Sequence, residues 1–96
     1  MLDDILKKAD ALVHGDRNES YGHPYDDYKR VSDIFTAITG KAFSPHDAAL
    51  VMIAVKLARI GKHHDSQKIH VDSLVDLAGY TYVYAKVLEI LGRAEI

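Results

Sequence analysis

Ninety-six residues, 48% of them hydrophobic and 27% charged, describe one small globular domain rather than a disordered chain. A formal charge of −2 supplies no basic field for nucleic acid or an anionic membrane, so neither DNA nor a lipid surface is the expected partner. With no cysteine there is no disulfide scaffold and no thiolate zinc site, which fits a reducing cytoplasm.

"MLDDILKKAD" is acidic and amphipathic from its first turn, unlike a signal peptide. Residues 2–14 place Leu2, Ile5, Leu6, Ala9, Leu12 and Val13 on one helical stripe, with Gly15 as a stop. "GDRNESYG", residues 15–22, reads as a polar loop with glycine at both ends. Its Arg17 and Asn18 could reach a phosphate. The next helix opens at Pro24, with His23 as a cap or a ligand contact, and runs to about Ile38. Its apolar stripe is Tyr28, Val31, Ile34, Phe35 and Ile38. Asp26, Lys29 and Asp33 face water, whereas Asp27 falls on the shoulder of the stripe, where a carboxylate needs a backbone, a base or a cation.

"SPHD", residues 44–47, carries a capping-box pattern, with Ser44 as cap, Pro45 at the first position and Asp47 three residues on. The helix it opens runs to Ile60, ended by Gly61, and is apolar almost all round except for Lys56 and Arg59. A helix of that kind is central or covered by a partner chain. A fourth helix begins between Ser66 and Val71 and ends near Leu91. Its main stripe is Leu74, Leu77, Ala78, Ala85 and Leu88. The opposite side holds Asp72, Asp76, Gly79, Val83, Val87 and Ile90 and predicts a second contact, Gly79 marking a close approach. The fold class is therefore all-α, four helices in a compact bundle over residues 1–96, and the two-faced third and fourth helices point to a homo-oligomer.

The chemistry centres on Asp72 and Asp76, one turn apart on one helix face. That spacing lets two carboxylates share a hard cation such as magnesium. A helix dipole acting on Asp72, or an ion pair with Lys56 or Arg59, would also compensate the pair. The histidines show no metal-ligand spacing, and the P-loop, GxGxxG, GxSxG and HExxH patterns are absent. Tyr80, Tyr82 and Tyr84 on the fourth helix fit packing better than a base-stacking platform.

"GDRNESYGHPYDDY", "SPHDAALVMIAVKLAR" and "DSLVDLAGYTYVYAKV", in that order, resemble a family of small phage and prophage domains of uncharacterised function. At one remove, "VDSLVDLAGYTYVY" is similar to the closing motif of the MazG-like all-α nucleotide pyrophosphatases. That resemblance implies a MazG-like bundle in which paired acids bind magnesium, oligomers complete the pocket, and nucleoside triphosphates are cut to monophosphate and pyrophosphate. Here the acids are four apart rather than three, and Lys56 and Arg59 stand where an ExxE pair is expected, so Asp27 would have to complete a metal shell with Asp72 and Asp76. As an enzyme, the chain would grip phosphates with Lys56, Arg59 and Arg17 and contact the base or ribose with Tyr21, His23 or Tyr80. As a binding module, the same residues would hold a nucleotide or nucleotide-derived signal uncut, or the chain would dock on a host protein.

Overall fold

A computed structural model describes residues 2–15, 23–66 and 68–92. Within them the regular structure is helical: α1 (Leu2–His14), α2 (Pro24–Thr39), α3 (Pro45–Lys62) and α4 (Val71–Ile90). No helix among the described residues is long and apolar enough to cross a membrane.

Local chemistry sets most of the ends. His23 caps α2 through Nδ1, which accepts from the Tyr25 N–H at 3.0 Å, and Pro24 fills the first position, where no donor is needed. Gly40 closes α2 in the left-handed region, at φ 70°, and its N–H donates to the Thr36 carbonyl at 2.8 Å. Ser44 and Asp47 complete the reciprocal capping box at the start of α3. Gly61 does not end α3. The helix continues through it to Lys62, and His63 and His64 tighten the exit by donating to the carbonyls of Ile60 and Gly61. Glycine favours a helix end only where the chain turns into the left-handed region, and here it does not.

Helix α4 is the hub. It packs against the other three, α2 also meets α3, and α1 packs on α4 alone among the described helices. The core joins Tyr28, Ala48, Ala49, Val83 and Val87, flanked by Val13, Tyr25, Phe43, Met52, Tyr80 and Tyr84. Each fully buried valine contributes on the order of 1.5–3 kcal/mol relative to exposure, so Val87 and Val83 anchor the centre of α4.

Two stripes read from the sequence are reassigned by this packing. On α4 the buried line is Val75, Gly79, Val83 and Val87, the side expected to be secondary, while Leu74, Leu77 and Leu88 are half-buried and Ala85 is exposed. Small and β-branched residues let α1 and α3 come close, and the bulkier leucines lie on the flanks. On α2 only Tyr28 of the expected stripe is buried, together with Ser32, whose hydroxyl donates to the Lys29 carbonyl at 2.9 Å. Val31, Ile34, Phe35 and Ile38 face solvent.

Candidate functional site

The best-formed crevice lies between α1 and α4. Leu12 and Val13 line it from α1, and Asp76, Gly79, Tyr80 and Val83 from α4, around a volume of about 80 Å³. A single helical side places all four α4 residues, because positions 76, 79, 80 and 83 follow the three-and-four spacing of one face. Gly79 keeps the wall low. A Cβ built there would meet Val13 Cγ1 at 3.5 Å, an ordinary contact, so what approaches Gly79 is a side chain and not a backbone.

Lys56 stands behind this wall. Although α3 supplies it as a cation on an otherwise apolar inner face, it is buried, and its Nζ meets Asp76 Oδ2 at 2.9 Å. The same ammonium lies 5.9 Å from the centre of the Tyr80 ring, at the outer range of cation–π attraction. An ammonium and a carboxylate taken out of water together are tolerable only when paired, so the two groups hold each other in place. The result is a neutral pair beside a mostly apolar crevice with one aromatic ring at its edge.

The remaining residues singled out in the sequence are dispersed. Asp72 is exposed in the first turn of α4, where the helix dipole favours an acid. Asp27 is half-buried on α2, with Arg30 Nη2 3.7 Å from its Oδ1. Arg59 is exposed on α3, and His23 is occupied at the cap of α2. Arg17, Asn18 and Tyr21 lie outside the described residues.

Magnesium needs several oxygen ligands in near-octahedral order. Among the described residues no three histidines or acids come together in a group able to hold a metal. Asp76 already carries an ammonium, and Asp27 has a guanidinium nearby. Within one chain, the described acids do not fit a magnesium centre.

Sequence reasoning missed Leu12, Val13 and Val83 as crevice walls. The fold also stacks the His63 ring on that of His70, with centroids 5.1 Å apart and planes 19° apart. Nothing in the spacing of residues 63 and 70 signals that pairing.

The family model for a domain of unknown function, DUF6378, matches residues 4–88. The chain belongs to the DUF6378 family. That match begins within α1 and ends within α4, so the crevice and the Lys56–Asp76 pair both lie within the DUF6378 domain. The DUF6378 chain is 36% identical over 89 residues to the Gene 55 protein of Mycobacterium phage D29, covering 93% of this chain and 56% of that protein. It is 33% identical over 84 residues to the Gene 55 protein of Mycobacterium phage L5, covering 86% of this chain and 51% of that protein. The chain thus spans about half the length of the curated relatives it matches. No solved structure matches it.

Proposed function

We propose that this DUF6378 chain is a non-catalytic phage module that holds a nucleotide or nucleotide-derived signal without cutting it, on a homo-oligomeric MazG-like bundle. The observation that carries this reading is the Lys56–Asp76 pair. The acid best placed to hold a catalytic cation is neutralised at 2.9 Å by a buried ammonium, in the position where the MazG-like pattern implies a second acid. A metal entering there would have to displace the lysine and leave its charge buried, which is costly.

The crevice suits the flat, weakly polar part of such a ligand. Leu12, Val13 and Val83 supply apolar walls, Tyr80 a ring to stack on, and Asp76 a carboxylate to accept from an amino or imino edge. At about 80 Å³ it takes one ring-sized group, against the ~300 Å³ or more of a site that encloses a whole ligand, so the phosphates stay at the surface. Arg59 and His23 do not line the crevice; in this reading they, with Arg17, Asn18 and Tyr21, are contacts of the ligand's outer, phosphate-bearing part.

Calorimetric titration with nucleoside mono-, di- and triphosphates and cyclic dinucleotides, in EDTA and in magnesium, tests the proposal. Binding that survives EDTA, with the ligand recovered intact by chromatography, is expected. Magnesium-dependent release of pyrophosphate would overturn it in favour of the hydrolase, with Asp27, Asp72 and Asp76 as its metal ligands.

A further inference from the structure

The face of α3 turned away from the core carries no charge over its central three turns. Leu50, Val51, Ala54, Leu57, Ala58 and Gly61 fall on one side of the helix at three-and-four spacing, opposite Ala49 and Lys56, and all six are exposed. Leu50, Val51 and Leu57 expose 50%, 48% and 52% of their surface. Water-facing sides of helices are normally polar, so this stripe calls for a cover that the described residues of one chain do not provide.

Its ends indicate what the cover is. Asp47 lies at the N-terminal end of the stripe and Lys62 at the C-terminal end, about 22 Å apart along the axis at 1.5 Å per residue. Turned end for end, the stripe is its own complement: acid meets base at both ends, the apolar middle meets itself, and the two helix dipoles oppose favourably. We infer that the outer face of α3 pairs antiparallel with the same face of a second copy of this chain, about a two-fold axis at Ala54. This rests on the oligomeric part of the proposal above and is independent of its ligand. The register follows from the ends. Ala54 faces Ala54 of the second copy, Leu50 faces Ala58, Val51 faces Leu57, and Asp47 lies beside Gly61 and Lys62. Leu50 meets the small Ala58, and Val51 meets Leu57, on either side of a close Ala54–Ala54 crossing.

The area is sufficient when α2 is included. The α3 stripe has only three large side chains, Leu50, Val51 and Leu57, and is narrower than the ~800 Å² per partner of a standard stable interface. The apolar C-terminal end of α2, with Ile34 and Ile38 exposed by 61% and 78%, is tied to the start of α3 by the Phe35–Phe43 ring contact at 4.3 Å. Antiparallel pairing brings that end beside the C-terminal end of the second copy's α3, where it adds the remaining area.

Light scattering during gel filtration, together with cysteine cross-linking, tests the register, because the chain has no cysteine of its own. The wild-type chain is expected to dimerise. Ala54→Glu should be monomeric with unchanged helicity and a melting temperature that no longer depends on protein concentration, since residue 54 is exposed in the single chain. Ala54→Cys should oxidise to a covalent dimer at least tenfold faster than Ala58→Cys, whose thiols would be offset by about 12 Å along the axis. A wild-type chain that stays monomeric at high concentration overturns the oligomeric reading and this pairing together. A wild-type dimer that Ala54→Glu leaves intact, or that Ala58→Cys cross-links as fast as Ala54→Cys, overturns this face and register and leaves an oligomer of another kind.

Discussion

Removing Asp76 should cost much more stability than removing Lys56. Lys56 is nearly enclosed, its side chain 10% exposed, whereas the Asp76 side chain is 33% exposed and within reach of water. Orphaning a fully buried charge costs about 3–5 kcal/mol. Lys56 is close to that limit, so Asp76→Ala should lose roughly 2–3 kcal/mol after discounting the solvent that reaches its end of the pair. Lys56→Met keeps the length and apolar contacts of the stem and leaves a carboxylate that water can solvate. It should cost no more than about 1 kcal/mol and could be neutral. Urea denaturation of both single variants and the double variant reads the difference. The double variant should be about as stable as Lys56→Met alone, because the penalty of Asp76→Ala comes from a charge that is no longer there. If Lys56→Met costs as much as Asp76→Ala, or if the two losses simply add, the pair is not what holds these groups at the crevice.

Gly79→Ala should raise stability by roughly 0.5–1 kcal/mol, since the added methyl gains helix propensity and meets Val13 at an ordinary 3.5 Å, yet it narrows the crevice and should weaken ligand binding. A lower melting temperature would show that α1 lies closer to α4 than this. Ser44→Ala removes the hydroxyl that accepts from the Asp47 N–H and should cost about 1 kcal/mol in urea denaturation, whereas Ser44→Asp should restore most of it. Lys29 is held above lysine's ordinary pKa by its hydrogen bond to Asp33 and then by the charge of that carboxylate. A raised folded-state value makes its contribution complete below the ordinary lysine pKa and lost as pH climbs through the raised one. NMR titration of the Lys29 side chain should therefore shift to lower pH in Asp33→Asn; an unmoved midpoint would remove Asp33 as the cause.

Helix positions were legible in the chain where local chemistry decides them, as with Pro24 and Gly40 around α2 and the Ser44–Asp47 box before α3. The start of α4 was open because His70 makes no capping bond to the backbone, and its ring instead meets the Ser73 hydroxyl. Buried faces were harder to read. A helix with apolar residues on two sides presents two equally good stripes, and size rather than hydrophobicity chose between them: Gly79, Val83 and Val87 lie inward, and Leu74 and Leu77 on the flank. The candidate site shows the same limit. That Asp76 needed a partner followed from its repulsion by Asp72 one turn away, with Lys56 among the alternatives. The choice of Lys56 depends on the register of α3 against α4, a distance in space that no spacing along one helix encodes.

The proposed pairing would give helix α3 two tasks, one on each side. Lys56 points inward to Asp76, and the Leu50–Ala54–Leu57–Gly61 stripe lies on the opposite surface, so pairing through that stripe does not cover the crevice between α1 and α4. In MazG-like oligomers the resemblance implies a pocket completed by neighbouring chains. Here the walls of the crevice come from α1 and α4 of one chain, and pairing through α3 leaves each copy with its own. The two activities are then separable. Ala54→Glu should abolish the dimer and keep ligand binding at one per chain with unchanged affinity. Gly79→Ala should do the reverse, weakening the ligand and sparing the dimer. If Ala54→Glu also removes ligand binding, the site is shared between chains and the crevice of a single copy is only part of it.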